Sequence, residues 1–208
     1  MILYLFGGYS RNTEKKHWKL INSYLNKLKP KQILFIGRAE LKRSSLENFY
    51  RFKSKLRNEY KVEVLNAEDA ILLTRIKDPL VFIGGGGGHI ELYNFITKNK
   101  TIVRSILNCT NYFGDSAGSM IVGSNLRKYD DGSKPMIGLN ILKKSIIEPH
   151  YTQWNRHQQL KIEMKRWNCN IGIGIDEVSG IKIHTDLFPK KYEILGGNKV
   201  EVIKNYDI

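Results

Sequence analysis

Four largely apolar, strand-length runs in the first half of the chain each end in glycine. They are Ile2–Phe6 before Gly7, Gln32–Ile36 before Gly37, Leu80–Ile83 before Gly84, and the shorter Asn111-Tyr112-Phe113 before Gly114. Segments of helical periodicity lie between them. Trp18, Ile21, Leu25 and Leu28 recur at helical spacing from Thr13 to Leu28, and Pro30 stops that helix. Leu46, Phe49, Phe52 and Leu56 mark one face of a second helix over Ser45–Arg57. A strand over Lys61–Leu65 and a short helix over Asp69–Arg75 follow, then helices near Ile90–Thr97 and Thr101–Leu107. Strands that are apolar throughout are buried on both faces. Alternating with helices, they predict a three-layer α/β fold, a mostly parallel sheet flanked by helices.

The end of the chain reads differently. Ile171–Ile175, Gly180–His184, Tyr192–Leu195 and Val200–Ile203 are strand-like, as is Lys144–Ile147 before them, and Gly196-Gly197-Asn198 is a turn. The last strands predict an antiparallel C-terminal extension of the same sheet. No linker, repeat or low-complexity tract interrupts the 208 residues, so one domain over 1–208 is expected.

Composition narrows the function classes. Hydrophobic residues make up 41% of the chain, enough for a substantial core. No apolar run nears the roughly 20 residues that span a bilayer. Met1–Gly8 lacks a basic flank and reads as a buried strand rather than a signal peptide. The net charge of +14 comes from scattered singlets and pairs such as Lys15-Lys16 and Lys190-Lys191, with no aromatic-basic recognition motif. That pattern is a lysine-rich solvated surface, able to draw in an acidic substrate, rather than a nucleic-acid interface. Cys109 and Cys169 are isolated and lack metal or disulfide spacing, which points to a reducing cytoplasm. Neither a metal nor a cofactor is expected.

The fourth strand runs into Gly114-Asp115-Ser116-Ala117-Gly118, followed by the small-residue helix start Ser119-Met120-Ile121-Val122. This is G-x-S-x-G between a strand and a helix, the setting of a nucleophile elbow. A serine nucleophile needs a base and a group that orients the base. Of five histidines, His17 reads as a surface residue of the first helix, and His184 ends a late strand. His89 follows the glycine run and borders the site. His150 follows the strand Ser145–Pro149, where a parallel sheet would deliver a base, and a loop and polar helix come after it. Asp176 and Glu177 end another strand, and only one of them can face the histidine. Asp115, Asp130, Asp131 and Glu148 are other carboxylate candidates.

Gly84–Gly88 is five glycines in a row. Such a loop implies positive φ or close backbone approach to a ligand. The following His89-Ile90 does not fit a phosphate loop, which ends in Gly-Lys-Ser/Thr. An oxyanion hole fits better, with loop N–H groups acting together with that of Ala117.

In this order, the pieces resemble the dipeptidase E and cyanophycinase family of serine peptidases. The resemblance rests on the early Gly7-Gly8, the loop Val81–Gly88, the elbow Gly114–Gly118, the segment Ile147-Glu148-Pro149-His150-Tyr151, and Gly172-Ile173-Gly174-Ile175-Asp176-Glu177. It implies a sheet like that of class I glutamine amidotransferases, of flavodoxin-like form. It also implies hydrolysis of peptide bonds next to acidic residues. Dipeptidase E members remove an N-terminal aspartate, and cyanophycinases cleave a β-linked aspartate-arginine polymer. Carried over, Ser116 is the nucleophile, His150 the base and Glu177 the orienting carboxylate, with Asp130 or Asp131 the alternative third member. Gly86 or Gly87 and Ala117 supply the oxyanion donors. Two departures concern specificity: the glycine loop ends in Gly88-His89, and only Arg156 of the family's usual arginines after the histidine is retained. Arg156 and His89 are therefore the expected substrate-binding residues. A short peptide is the expected partner, for a monomer or homodimer. An esterase or amidase at the same site, and a non-catalytic amidotransferase-like binding protein, are the competing readings.

Overall fold

The computed structural model describes residues 1–57, 60–69, 76–128 and 134–205. Five parallel strands form its centre: β1 (Ile2–Phe6), β2 (Gln32–Ile36), β3 (Glu63–Asn66), β4 (Leu80–Ile83) and β5 (Asn111–Asp115). Two antiparallel strands, β10 (Ser179–His184) and β11 (Tyr192–Gly196), extend that sheet on the β1 side. The seven-stranded order is β11-β10-β1-β5-β4-β2-β3.

Not every late strand joins it. β8 (Ser145–Pro149) pairs in parallel with β9 (Ile171–Ile175), and β12 (Val200–Lys204) lies antiparallel on β9, giving a separate three-stranded sheet. The expected extension of one sheet is thus β10 and β11 only. A short hairpin, β6 (Asn125–Arg127) with β7 (Pro135–Ile137), carries no apolar run long enough to announce it. The helix expected over Asp69–Arg75 lies almost wholly outside the described residues.

Helices cover both faces of the main sheet. α1 (Glu14–Leu28) and α2 (Ser45–Lys55) bury one face, where Ile21, Leu25 and Phe52 meet Tyr4, Phe6, Phe35, Phe82 and Phe113. Phe35 and Phe52 stack there with centroids 4.3 Å apart. Leu46, expected on the buried face of α2, is exposed instead. α3 (His89–Lys98) and α4 (Lys100–Asn108) cover the opposite face through Leu92, Ile96, Ile102 and Ile106. A four-residue turn of helix, α5 (Ala117–Met120), follows β5, and α6 (His157–Arg166) packs Leu160 and Met164 against the small sheet.

The helix ends follow local chemistry. Ser44 caps α2 in a reciprocal box with Glu47. Asn99 accepts from the N–H groups of Thr101 and Ile102 to start α4. Lys29, in the left-handed conformation, closes α1 just before Pro30.

The two sheets meet at the carboxyl ends of their strands. The N–H of His150 donates to the carbonyl of Gly7 at 3.0 Å, and that of Val178 to Gly8 at 3.1 Å. The turns after β1, β5, β8 and β9 therefore converge on one place, as ligand sites in open α/β sheets do.

Candidate active site

The elbow after β5 is held from several sides. Ser116 has φ 48° and ψ −107°, a strained conformation for a residue with a side chain. Its N–H donates to the carbonyl of Phe6 at 3.0 Å, which ties the turn to β1. The fully buried Ser119 Oγ accepts from the Phe6 N–H at 3.0 Å and lies 2.8 Å from the carbonyls of Phe6 and Gly114. Tyr112 donates its hydroxyl to the Gly118 carbonyl at 2.6 Å. A side chain on Gly118 would collide with the Ile83 carbonyl, so the helix start packs directly on β4.

Ser116 faces His150. Its Oγ is 3.2 Å from Nε2 of the imidazole, and Nδ1 is 3.0 Å from Glu177 Oε1. The other carboxylate oxygen of Glu177 accepts from the Ser10 N–H at 3.0 Å and the Thr13 hydroxyl at 2.9 Å. The backbone of Glu177 is fixed as well, with its N–H on Gln153 Oε1 and its carbonyl accepting from Asn198 Nδ2. Burial pushes the Glu177 carboxyl up. The hydrogen bonds from Thr13, His150 and Ser10 outweigh that and hold it below its ordinary value. An ionised carboxylate only accepts, so Nδ1 carries the proton and Nε2 is left to accept from the serine hydroxyl.

Adjacent Asp176 points elsewhere, accepting from the Thr152 N–H at 2.9 Å and fixing the turn after His150. Of the other carboxylates, Glu148 is buried beside Arg127, and Asp115 approaches His17. Asp130 and Asp131 lie outside the described residues. His17 corrects the surface expectation: it is fully buried, on the same stripe of α1 as Ile21 and Leu25. His157 lies 3.8 Å from Glu201, and His184 is exposed.

Two glycines press on the Ser116–His150 pair. Gly8 has φ +85°, and a Cβ there would lie 2.5 Å from His150 Nε2. A Cβ on Gly85 would lie 2.9 Å from Ser116 Cβ. The amides of Gly84 and Gly88 donate to Ile36 and Ala39, while among the described residues those of Gly85, Gly86 and Gly87 donate to no carbonyl.

The sequence profile of peptidase family S51 matches residues 1–189. The chain belongs to peptidase family S51. It is a serine-type peptidase. No curated protein matches its sequence. Among solved structures, that of a candidate peptidase E from Listeria monocytogenes EGD-e is similar at a TM-score of 0.57 and 19% identity, over 98% of each chain. That likeness concerns the fold, a mostly parallel sheet flanked by helices.

In this S51 peptidase a cavity of about 690 Å³ opens beside Ser116 and His150. The loop Gly84–Gly87 forms part of its wall. Trp18, Phe35, Phe52 and Phe82 give it aromatic walls, while Arg11, Lys42, Arg43 and Arg51 contribute positive charge. Arg51 is 2.8 Å from Glu14, and Arg43 is 3.4 Å from Glu40. Trp154 also lines the cavity, stacked on the His150 ring with centroids 4.3 Å apart and planes 14° off parallel. Sequence reasoning missed Ser119, Gly8 and Trp154 as site residues, and named Gly85 only as part of the glycine run.

His89 and Arg156 are not among the residues lining the cavity. The His89 ring lies 2.8 Å from the Arg127 carbonyl. The Arg156 guanidinium lies over Trp154 at 5.9 Å, with Nε 3.8 Å from Glu148. Glu148, Glu163 and Arg127 form a buried network behind His150, Arg127 reaching Glu148 at 2.6 Å and Glu163 at 2.7 Å. No helix among the described residues is long and apolar enough to cross a membrane.

Proposed function

We propose that this S51 peptidase hydrolyses short peptides after an N-terminal acidic residue, with Ser116, His150 and Glu177 as its catalytic triad. The observation that carries the reading is the unbroken chain of contacts from Ser116 Oγ through the imidazole to Glu177.

The chemistry follows from that chain. Nε2 of His150 takes the hydroxyl proton as Ser116 Oγ attacks the scissile carbonyl carbon. The carbonyl π electrons move onto oxygen, and the N–H of Ala117 with those of the Gly85–Gly87 loop face the oxyanion. When the tetrahedral species collapses, the C–N bond breaks and the imidazolium returns its proton to the leaving amine. Water then attacks the acyl-serine ester. His150 takes a proton from that water and delivers it to Oγ as the free acid leaves. Glu177 stays ionised throughout, orients the ring and stabilises the imidazolium.

Acidic specificity is supported by the cations of the cavity. Arg11 and Lys42 form no ion pair among the described residues, so a substrate carboxylate would find donors that no acid has already claimed. Arg156, over the Trp154 ring and 3.8 Å from Glu148, adds positive charge behind that wall. Two free, buried thiols fit work in a reducing cytoplasm.

The test is mutation of the cations against substrate charge. Arg11→Gln and Lys42→Gln should each raise KM for an N-terminal Asp peptide while leaving its Asn counterpart unchanged. Equal losses on both peptides would refute carboxylate recognition at these positions.

A further inference from the structure

Resting on the peptidase reading, we infer that Asp115 is the anchor for the substrate's α-ammonium group and confines the enzyme to peptides with a free amino terminus.

Asp115 is the last residue of β5 and immediately precedes Ser116. Residues two apart on a strand share a face, so its side chain lies on the α1–α2 side with Phe113. It is only 3% exposed, yet it lines the cavity. A Cβ on Gly85 would lie 3.4 Å from Asp115 Oδ2 and 2.9 Å from Ser116 Cβ, so carboxylate and nucleophile flank a single point. Tyr9, Trp18 and Phe82 also line the cavity.

This carboxylate has only part of the compensation that buried charges need. Oδ1 has no hydrogen-bond partner. His17 Nε2 comes to 3.0 Å without hydrogen-bond alignment, and both its ring nitrogens are likewise unsatisfied. Among the described residues, no lysine or arginine pairs with Asp115; Arg51 is drawn to Glu14. An acid whose one close partner is the His17 imidazole would also oppose the oxyanion that forms beside it.

A primary ammonium answers both problems. It donates to the carboxylate, and aromatic walls favour a cation. In a peptide cut after its first residue, one Cα separates the ammonium from the carbonyl that Ser116 attacks. That matches an acid one residue before the nucleophile. The cations of the cavity then take the acidic side chain, so the two charges of the first residue meet opposite partners.

The experiment is calorimetric binding to the Ser116→Ala chain of Asp-Leu and of N-acetyl-Asp-Leu, repeated with Asp115→Asn added. Thermal melts confirm folding. The free dipeptide is expected to bind about tenfold to a hundredfold more tightly than the acetylated one, as for a hydrogen bond to a charged group. Asp115→Asn should remove that preference and leave the acetylated peptide unaffected. Equal binding of the two peptides, binding of neither, or a preference that survives Asp115→Asn would overturn the inference. The acetylation comparison needs no change at position 115, so it stands even if that variant unfolds. Hydrolysis by the unmodified chain is read separately. Cleavage of both peptides alike would refute the ammonium site and keep the peptidase. Ammonium-dependent binding without cleavage would do the reverse.

Discussion

Glu177 Oε1 lies 3.0 Å from His150 Nδ1, although Asp176 stands beside it at the end of β9. The chain reverses there, and neighbouring side chains diverge. Asp176 turns to the Thr152 amide, and Glu177 turns to the imidazole. Glu177→Gln should therefore lower kcat/KM by up to about 10⁴-fold, the loss seen when an orienting carboxylate becomes an amide. Asp176→Asn should act through the Thr152 turn and cost far less.

The same pair has a pH signature. The Glu177 carboxyl is held below its ordinary 4.5 by its donors, despite burial. Its contribution to stability is present above that ordinary value and is lost as pH falls through the lowered folded value. The gap in melting temperature between the native chain and Glu177→Gln should be constant from neutral pH down to about 5, then close in stronger acid. A gap that grows on acidification would contradict the assignment.

Gly8 is set against the imidazole. Gly8→Ala would place a Cβ 2.5 Å from His150 Nε2 and force the ring off Ser116. Activity should fall by about 100-fold or more, as a displacement near 1 Å does. Labelling of Ser116 by a fluorophosphonate should slow in parallel.

Strain at Ser116 is separable from its chemistry. Its φ of 48° is one that glycine adopts without a Cβ penalty. Ser116→Gly should abolish turnover yet raise stability by about 1 kcal/mol, the relieved strain less the entropy glycine loses on folding. Denaturant unfolding measures this directly.

Arg127 sits between two buried carboxylates. Burial drives the Glu148 carboxyl above its ordinary range even with Arg127 beside it. Arg127→Met would leave both acids without their shared partner, at a cost of about 3–5 kcal/mol. Chemical denaturation should report the loss, with unfolding at lower denaturant.

Much of this was legible in the sequence. Strands that are apolar throughout and end in glycine locate the carboxyl edge of a parallel sheet. Ser116, His150 and Glu177 each follow the carboxyl end of a strand, which is why a linear reading could bring them together. Pairing partners were harder. Alternating residues in Val200–Lys204 announce a strand, but nothing in them says that it lies on β9 rather than β10. His17 was hidden by its polarity, although Ile21 and Leu25 at four-residue steps mark its stripe as buried. The stacking of Trp154 on His150 and the approach of His17 to Asp115 arise from contacts between distant segments, which no local pattern encodes.

The most direct measurement is mass-spectrometric analysis of short peptides with Asp, Glu or neutral first residues, incubated with the native chain and with Ser116→Ala. The account predicts release of the acidic residue by the native chain and none by the variant. Cleavage that persists in Ser116→Ala, or that ignores the first residue, would contradict it.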